Sequence, residues 1–143
     1  MISGDDALAM LRDHAVPARA AEMRAYHKVD RVYLGISNAV TGELATEWRK
    51  SAPDQTSLVT LAQDLWASDV YEARIAAGKL FLQARMRPDD DLAWARIVGV
   101  VPQFESWAIA DAVAQGGQKR VVQAPSRLET LADRTTSDPQ WTR

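Results

Sequence analysis

Trp107 and Asp111 are the two residues whose types and spacing most directly suggest chemistry. They lie four positions apart in Glu105-Ser-Trp-Ala-Ile-Ala-Asp-Ala-Val-Ala-Gln115. At about 100° per residue a helix here gathers Ile109 and Val113 within roughly 40° on one face. Trp107 and Asp111 then share a second face roughly 200° away. The aliphatic face seeks the core, which leaves an aromatic ring and a carboxylate side by side among small alanines. Such a pair suits a planar, cationic ligand. An electron-rich indole attracts a cation by about 0.5 to 2 kcal/mol, depending on desolvation. A full negative charge beside it stabilises developing positive charge or orients a water. A packed tryptophan next to a solvated carboxylate is the plainer alternative, and geometry alone leaves both open.

Other chemistries find little support. There is no cysteine, hence no thiolate zinc site, disulfide framework or thiol nucleophile. His14 and His27 are the only histidines, and neither has an acidic residue at helical ligand spacing within its predicted helix. Asp89-Asp90-Asp91 lacks the alternation and glycine of a calcium loop and reads as the solvated start of a helix. Gly116-Gly117 stands alone, reads as a left-handed helix stop, and does not make a phosphate loop. No Gly-x-Ser-x-Gly elbow is present. No metal site is expected.

The net charge of −2 excludes a uniformly basic nucleic-acid binder but not a basic patch. Positive residues fall in small groups: Arg24, Lys28 and Arg31; Arg49 and Lys50; Arg85 and Arg87; Lys119 and Arg120. Several sit near predicted helix C-termini, where the dipole favours them. They contact phosphates if those helix ends converge on one surface. No apolar run approaches the roughly 18 to 20 residues of a membrane span. Asp5 and Asp6 stand where a signal peptide needs positive charge. A cytoplasmic location is the expectation.

The elements that must position these residues read as helices nearly throughout. Ser3 with Asp6 predicts a cap for a helix to about His14, and Pro17 suits the first turn of the next, to about Lys28. Tyr33 to Ile36 is a connector, and Ser37 or Asn38 caps a helix to Lys50. Pro53 stops it, and Asp54 caps a helix from Gln55 to about Ala67. Asp69-Val-Tyr-Glu72 has the pattern of a capping box and opens a helix to Ala84. Further helices are predicted after Asp91, from Glu105 to Gln115, and from Arg127 to about Arg134. Trp66 and Trp94, among leucines and Ile97, are expected in the core, whereas the Tyr26 hydroxyl stays wet at a helix end. Strand signals amount to Val121-Val122 and the run from Ile97 to Val101, without hairpin turns. The prediction is an all-α chain of antiparallel helix pairs, in a bundle or a helical-repeat solenoid, although no strict internal repeat is visible. Its 143 residues fit one domain. Ser137, Asp138 and Pro139 announce a helix of which only Gln140 to Arg143 follow, so the chain is expected to be the N-terminal part of a longer domain.

Four segments in order carry a family resemblance: Met23-Arg-Ala-Tyr-His-Lys28, Tyr33-Leu-Gly-Ile-Ser37, Leu65-Trp-Ala-Ser-Asp-Val-Tyr-Glu-Ala-Arg74 and Ser106-Trp-Ala-Ile-Ala-Asp-Ala-Val-Ala114. Over roughly residues 20 to 143 the chain resembles the AlkD-type DNA alkylation repair proteins, glycosylases built from HEAT-like helical repeats. The resemblance implies a HEAT-like α-solenoid that hydrolyses the N-glycosidic bond of cationic N3- or N7-alkylated purines. It needs no metal or cofactor, and its partner is double-stranded DNA with alkylated bases, bound by a monomer. By the same resemblance Asp111 is the catalytic carboxylate, Trp107 lies against the lesion and Tyr26 flanks the pocket. Trp141-Thr-Arg143 resembles the opening of the segment that carries a catalytic arginine, which makes Arg143 a candidate. Lys28 and Lys50 are the expected contacts to the DNA backbone. Residues 69 to 74 are expected to be structural. The alternative is a non-catalytic scaffold of the same build that binds DNA or protein.

Overall fold

The computed structural model describes residues 2–84, 90–103 and 107–129. Seven α-helices are found among them: α1 Gly4–Asp13, α2 Pro17–His27, α3 Asn38–Ser51, α4 Gln55–Trp66, α5 Tyr71–Gln83, α6 Asp91–Val100 and α7 Trp107–Gln123. Short 3-10 turns follow α6 at Val101–Gln103 and α7 at Pro125–Arg127. No strand occurs among the described residues; Val32 and Val70 form an isolated bridge. Both β-branched runs noted above lie in helical segments.

Local chemistry sets most of the helix starts. The Ser3 hydroxyl accepts from the Asp6 N–H at 3.1 Å, and the Asp6 carboxylate accepts from the Ser3 N–H at 3.5 Å, closing a capping box. Ser37 accepts from Val40 N–H, and Asp54 accepts from Ser57 N–H at 2.8 Å. That second bond holds the Asp54 carboxyl below its ordinary pKa. Pro17 occupies the first turn of α2, where its missing N–H costs nothing.

The helices stack in two rows, as antiparallel pairs in a HEAT-like α-solenoid. In one row α5 packs between α3 and α7; in the other α4 packs between α1 and α6. The α4–α5 and α6–α7 contacts join the rows. Between them lie Trp48, Leu65, Trp66, Leu80, Phe81 and Ile109, all buried. Within residues 69 to 74, Arg74 is tied into the core. The Arg74 guanidinium lies 4.2 Å from the Trp66 ring centroid and donates to the carbonyls of Trp66 and Gln103. Trp66 Nε1 donates to Gln103 Oε1. Trp94, unlike Trp66, is not in the expected core position: it is half-buried, with Arg127 5.3 Å from its ring centroid.

Three further sequence expectations are corrected. The first concerns Glu72, which does not cap α5: the helix start has no side-chain cap bond, and the Val70 N–H at its N-cap donates to Ser68 Oγ at 3.1 Å. The Glu72 carboxylate reaches instead to the α2–α3 connector. It accepts from the N–H groups of Leu34 at 3.0 Å, Gly35 at 2.9 Å and Ile36 at 3.2 Å. Gly35 sits there at φ +80°, where a Cβ would meet the Val16 carbonyl and the Ala20 nitrogen. Glu72→Gln is expected to cost about 1–3 kcal/mol in urea unfolding, because its amide turns an N–H toward backbone donors that lose their acceptor. An unchanged midpoint would contradict that role.

The second correction is that α7 does not stop at Gly116-Gly117 but runs through both to Gln123. Gly116 packs against the backbone of α5, where a Cβ would lie 3.1 Å from the Leu82 nitrogen. Gly78 is tighter, with a Cβ 2.8 Å from the Ala112 carbonyl carbon. These glycines are points of close helix approach.

The third concerns the acidic run. Asp91 is solvated as expected, but Asp90 is buried. Asp90 accepts from Arg127 Nη2 at 2.7 Å and faces Arg120 Nε at 3.7 Å. Arg120 is fully buried and donates to the Ala84 carbonyl at 2.8 Å. Burial pushes its guanidinium below the ordinary pKa, and Asp90 opposes that shift. Asp89 lies outside the described residues, as do residues 130–134 of the helix predicted from Arg127.

Candidate active site

The row α3–α5–α7, with the end of α2, encloses a cleft of about 960 Å³. Each helix contributes a stripe at helical spacing. From α7 come Ala108, Asp111, Ala112 and Gln115; from α5, Tyr71, Glu72, Ile75, Lys79 and Gln83; from α3, Gly42, Glu43, Thr46, Glu47 and Lys50. Met23 and His27 close the side toward α2.

Asp111 is exposed on the α7 wall between small residues, while Ile109 and Val113 are fully buried on the opposite face. Trp107 is the first residue of α7, one turn before Asp111, and its side chain lies outside the description. Lys50 lines the cleft from α3. Tyr26 is 81% exposed and is not part of the lining; its ring stands edge-on to His27, with centroids 5.0 Å apart. Lys28 is exposed, ends α2 in a left-handed conformation at φ +61°, and is also outside the lining. Arg143 and Trp141 lie outside the described residues. Thus Asp111 and Lys50 share the cleft, while Tyr26 touches a residue of its lining.

Several lining residues escaped the sequence reading. Lys79 stands on the central helix, its Nζ over Gly42, whose missing side chain leaves it room. Its signal was available: Tyr71, Ile75, Lys79 and Leu82 repeat every three or four positions, so one lysine interrupts an apolar stripe. His27 and Tyr71 form a second group. The Tyr71 hydroxyl lies 3.3 Å from His27 Nε2, and the Tyr71 ring stacks on Tyr33 at 5.0 Å. Burial lowers the pKa of His27, with nearby Glu72 opposing. The Tyr71 hydroxyl is pushed up to about 12 by burial, with Tyr33 and Glu72 adding to it. Burial thus favours the uncharged forms of both His27 and Tyr71, beside the Glu72 carboxylate. No spacing rule joins residues 44 positions apart.

The exposed charges of the lining are mixed: Glu43, Glu47 and Asp111 are carboxylates, and Lys50 is a cation beside half-buried Lys79. Glu72 is committed to the connector. Among the described residues no group of three or more potential metal ligands occurs. No described helix is long and apolar enough to cross a membrane.

No curated protein and no solved structure matches the chain. A family model described as DNA alkylation repair enzyme matches residues 7–143, nearly the whole sequence, and the chain belongs to that family.

Proposed function

We propose that the cleft hydrolyses the N-glycosidic bond of cationic N3- or N7-alkylated purines in double-stranded DNA, with Asp111 as the catalytic carboxylate. Family membership supports a DNA repair role. The finer reading rests above all on one observation: Asp111 is an exposed carboxylate on the wall of a cleft formed by one helix row.

The chemistry asks little of an acid. Alkylation already gives the purine a positive charge, so the C1′–N bond breaks with its electron pair moving to the base, which departs neutral. Positive charge then develops on the sugar. Asp111 stabilises it electrostatically and orients the water whose oxygen bonds to C1′, while the water proton passes to solvent. Trp107 lies against the lesion, Tyr26 flanks it through His27, and Lys50 and Lys28 contact the DNA backbone. Arg143 is the further catalytic candidate. The step calls for no metal or cofactor, because the leaving base carries the activating charge itself. The chain acts in this reading as a single HEAT-like domain and a monomer.

A non-catalytic scaffold is the second reading. It draws on the exposed carboxylates Glu43 and Glu47, which oppose the approach of a phosphate backbone to that part of α3. Duplex DNA containing 7-methylguanine separates the two. Release of free 7-methylguanine, followed by chromatography, is the expected result, with no release of the neutral base uracil from a uracil-containing duplex. Binding that weakens with salt but yields no free base would identify the scaffold.

A further inference from the structure

Arg49 and Lys119 are far apart in sequence and belong to different helices, α3 and α7. They meet in a small pocket of about 320 Å³, whose remaining lining is Thr46, Leu82 and Gln83. Those three residues also line the main cleft, so the pocket opens from its edge. Its lining holds two cations, a hydroxyl and an amide, and no carboxylate.

Neither cation is neutralised by an acid. Arg49 is exposed, and its guanidinium makes no ion pair or hydrogen bond with the described residues. Lys119 donates one N–H to the Leu82 carbonyl at 2.9 Å and has two left. Its ammonium lies below the ordinary lysine pKa, chiefly through burial, then through the like charges of Arg120 and Arg49, with Asp90 opposing. Asp90 itself is buried and held by Arg127 and Arg120. Gln83 Oε1 is buried without a partner, and a half-turn of the amide would bring a donor to the same position.

We propose that this pocket binds one phosphate of the DNA backbone, with the Arg49 guanidinium and the Lys119 ammonium as its donors. The planar fork of Arg49 suits two phosphate oxygens, and Lys119 supplies a point charge from the facing helix. The proposal rests on the DNA reading of the adjoining cleft but not on base release there.

Duplex binding measured by fluorescence anisotropy across a salt series tests it. Arg49→Gln combined with Lys119→Gln is expected to reduce the slope of log K against log salt by about 0.9, the value of one phosphate. Alkylated and unmodified duplexes should weaken equally. Arg49→Gln alone should reduce the slope in the same direction, and it removes no structural bond. Arg96→Gln, an exposed change on α6 in the other row, should leave the slope unaltered. An unchanged slope in the double variant, an equal loss in Arg96→Gln, or a wild-type chain that binds no duplex overturns the proposal. Stabilisation by inorganic phosphate that Arg49→Gln abolishes, with DNA slopes unaffected, would assign the pocket to the free ion and overturn it too. A reduced slope without base release by the wild type keeps the pocket and ends the glycosidase reading; base release with an unchanged slope does the reverse.

Discussion

Asp111→Asn abolishes release of 7-alkylguanine, by at least about 100-fold, and leaves binding of the damaged duplex largely intact: this is the sharpest expected result. The magnitude follows from removing one fixed charge aimed at a developing one, which typically costs on the order of 100- to 1000-fold. Asn preserves size and polarity, so only the charge is lost. The fold should not register the change, since Asp111 is exposed and makes no bond or ion pair with the described residues. Surface substitutions of that kind stay within about 0.5 kcal/mol. Glu47→Gln supplies the comparison, because it neutralises another exposed carboxylate of the same cleft. Wild-type excision rates in Asp111→Asn would sink the assignment. Equal losses in both variants would reduce the role of Asp111 to general attraction of a cationic ligand.

The largest expected effect on stability belongs to Asp90→Ala. Arg120 is fully buried, and Asp90 is the carboxylate facing it. Removing one partner of a buried pair leaves an uncompensated charge, at a cost of about 3–5 kcal/mol. For a chain of this size the Tm should fall on the order of 10 °C. Arg127 loses its 2.7 Å bond to Asp90 but keeps Asp91 at 2.9 Å, so the main loss lies at Arg120. Asp90→Leu with Arg120→Met removes both charges and should recover much of the stability, since apolar replacements of buried pairs are often neutral or better. A loss below about 1 kcal/mol in Asp90→Ala would show that solvent reaches this network.

Much of the fold was legible because helix starts are local chemistry. Ser3 with Asp6, Pro17 and Asp54 each act within a few residues of themselves and are legible from residue type and position, and of the two caps open for α3 the structure takes Ser37. Failures came where a residue had a local option and took a distant one. Glu72 satisfies the spacing of a capping box, yet a carboxylate serves any set of converging N–H groups, and the connector at Leu34 to Ile36 offers three. Gly116-Gly117 satisfies the pattern of a helix stop, yet a glycine in a helix also lets another backbone approach, and α5 lies there. Asp90 and Asp91 are chemically alike, and only the arrival of Arg120 and Arg127 from later in the chain separates them.

The candidate site divides along the same line. The exposure of Asp111 opposite Ile109 and Val113 is a property of one helix, so spacing predicts it. The gathering of Asp111 with Lys79 and Lys50 is a property of three stacked helices, and no single segment carries that information. Tyr26 and Lys28 lie outside the cleft lining because α2 ends at the rim, contributing Met23 and His27 to it.

The close approach of α5 and α7 has one more consequence, for how such a cleft diversifies. Their separation is set by Gly78 against Ala112 and by Gly116 against the backbone at Phe81 and Leu82. Backbone contact leaves no side chain to repack, so the width of this wall is a fixed dimension. Glu43, Thr46, Glu47, Lys50, Lys79 and Gln115 project from that frame without holding it together. Ligand preference can therefore be rewritten residue by residue while the scaffold keeps its shape, and a library confined to those positions would sample new specificities at little cost in folding.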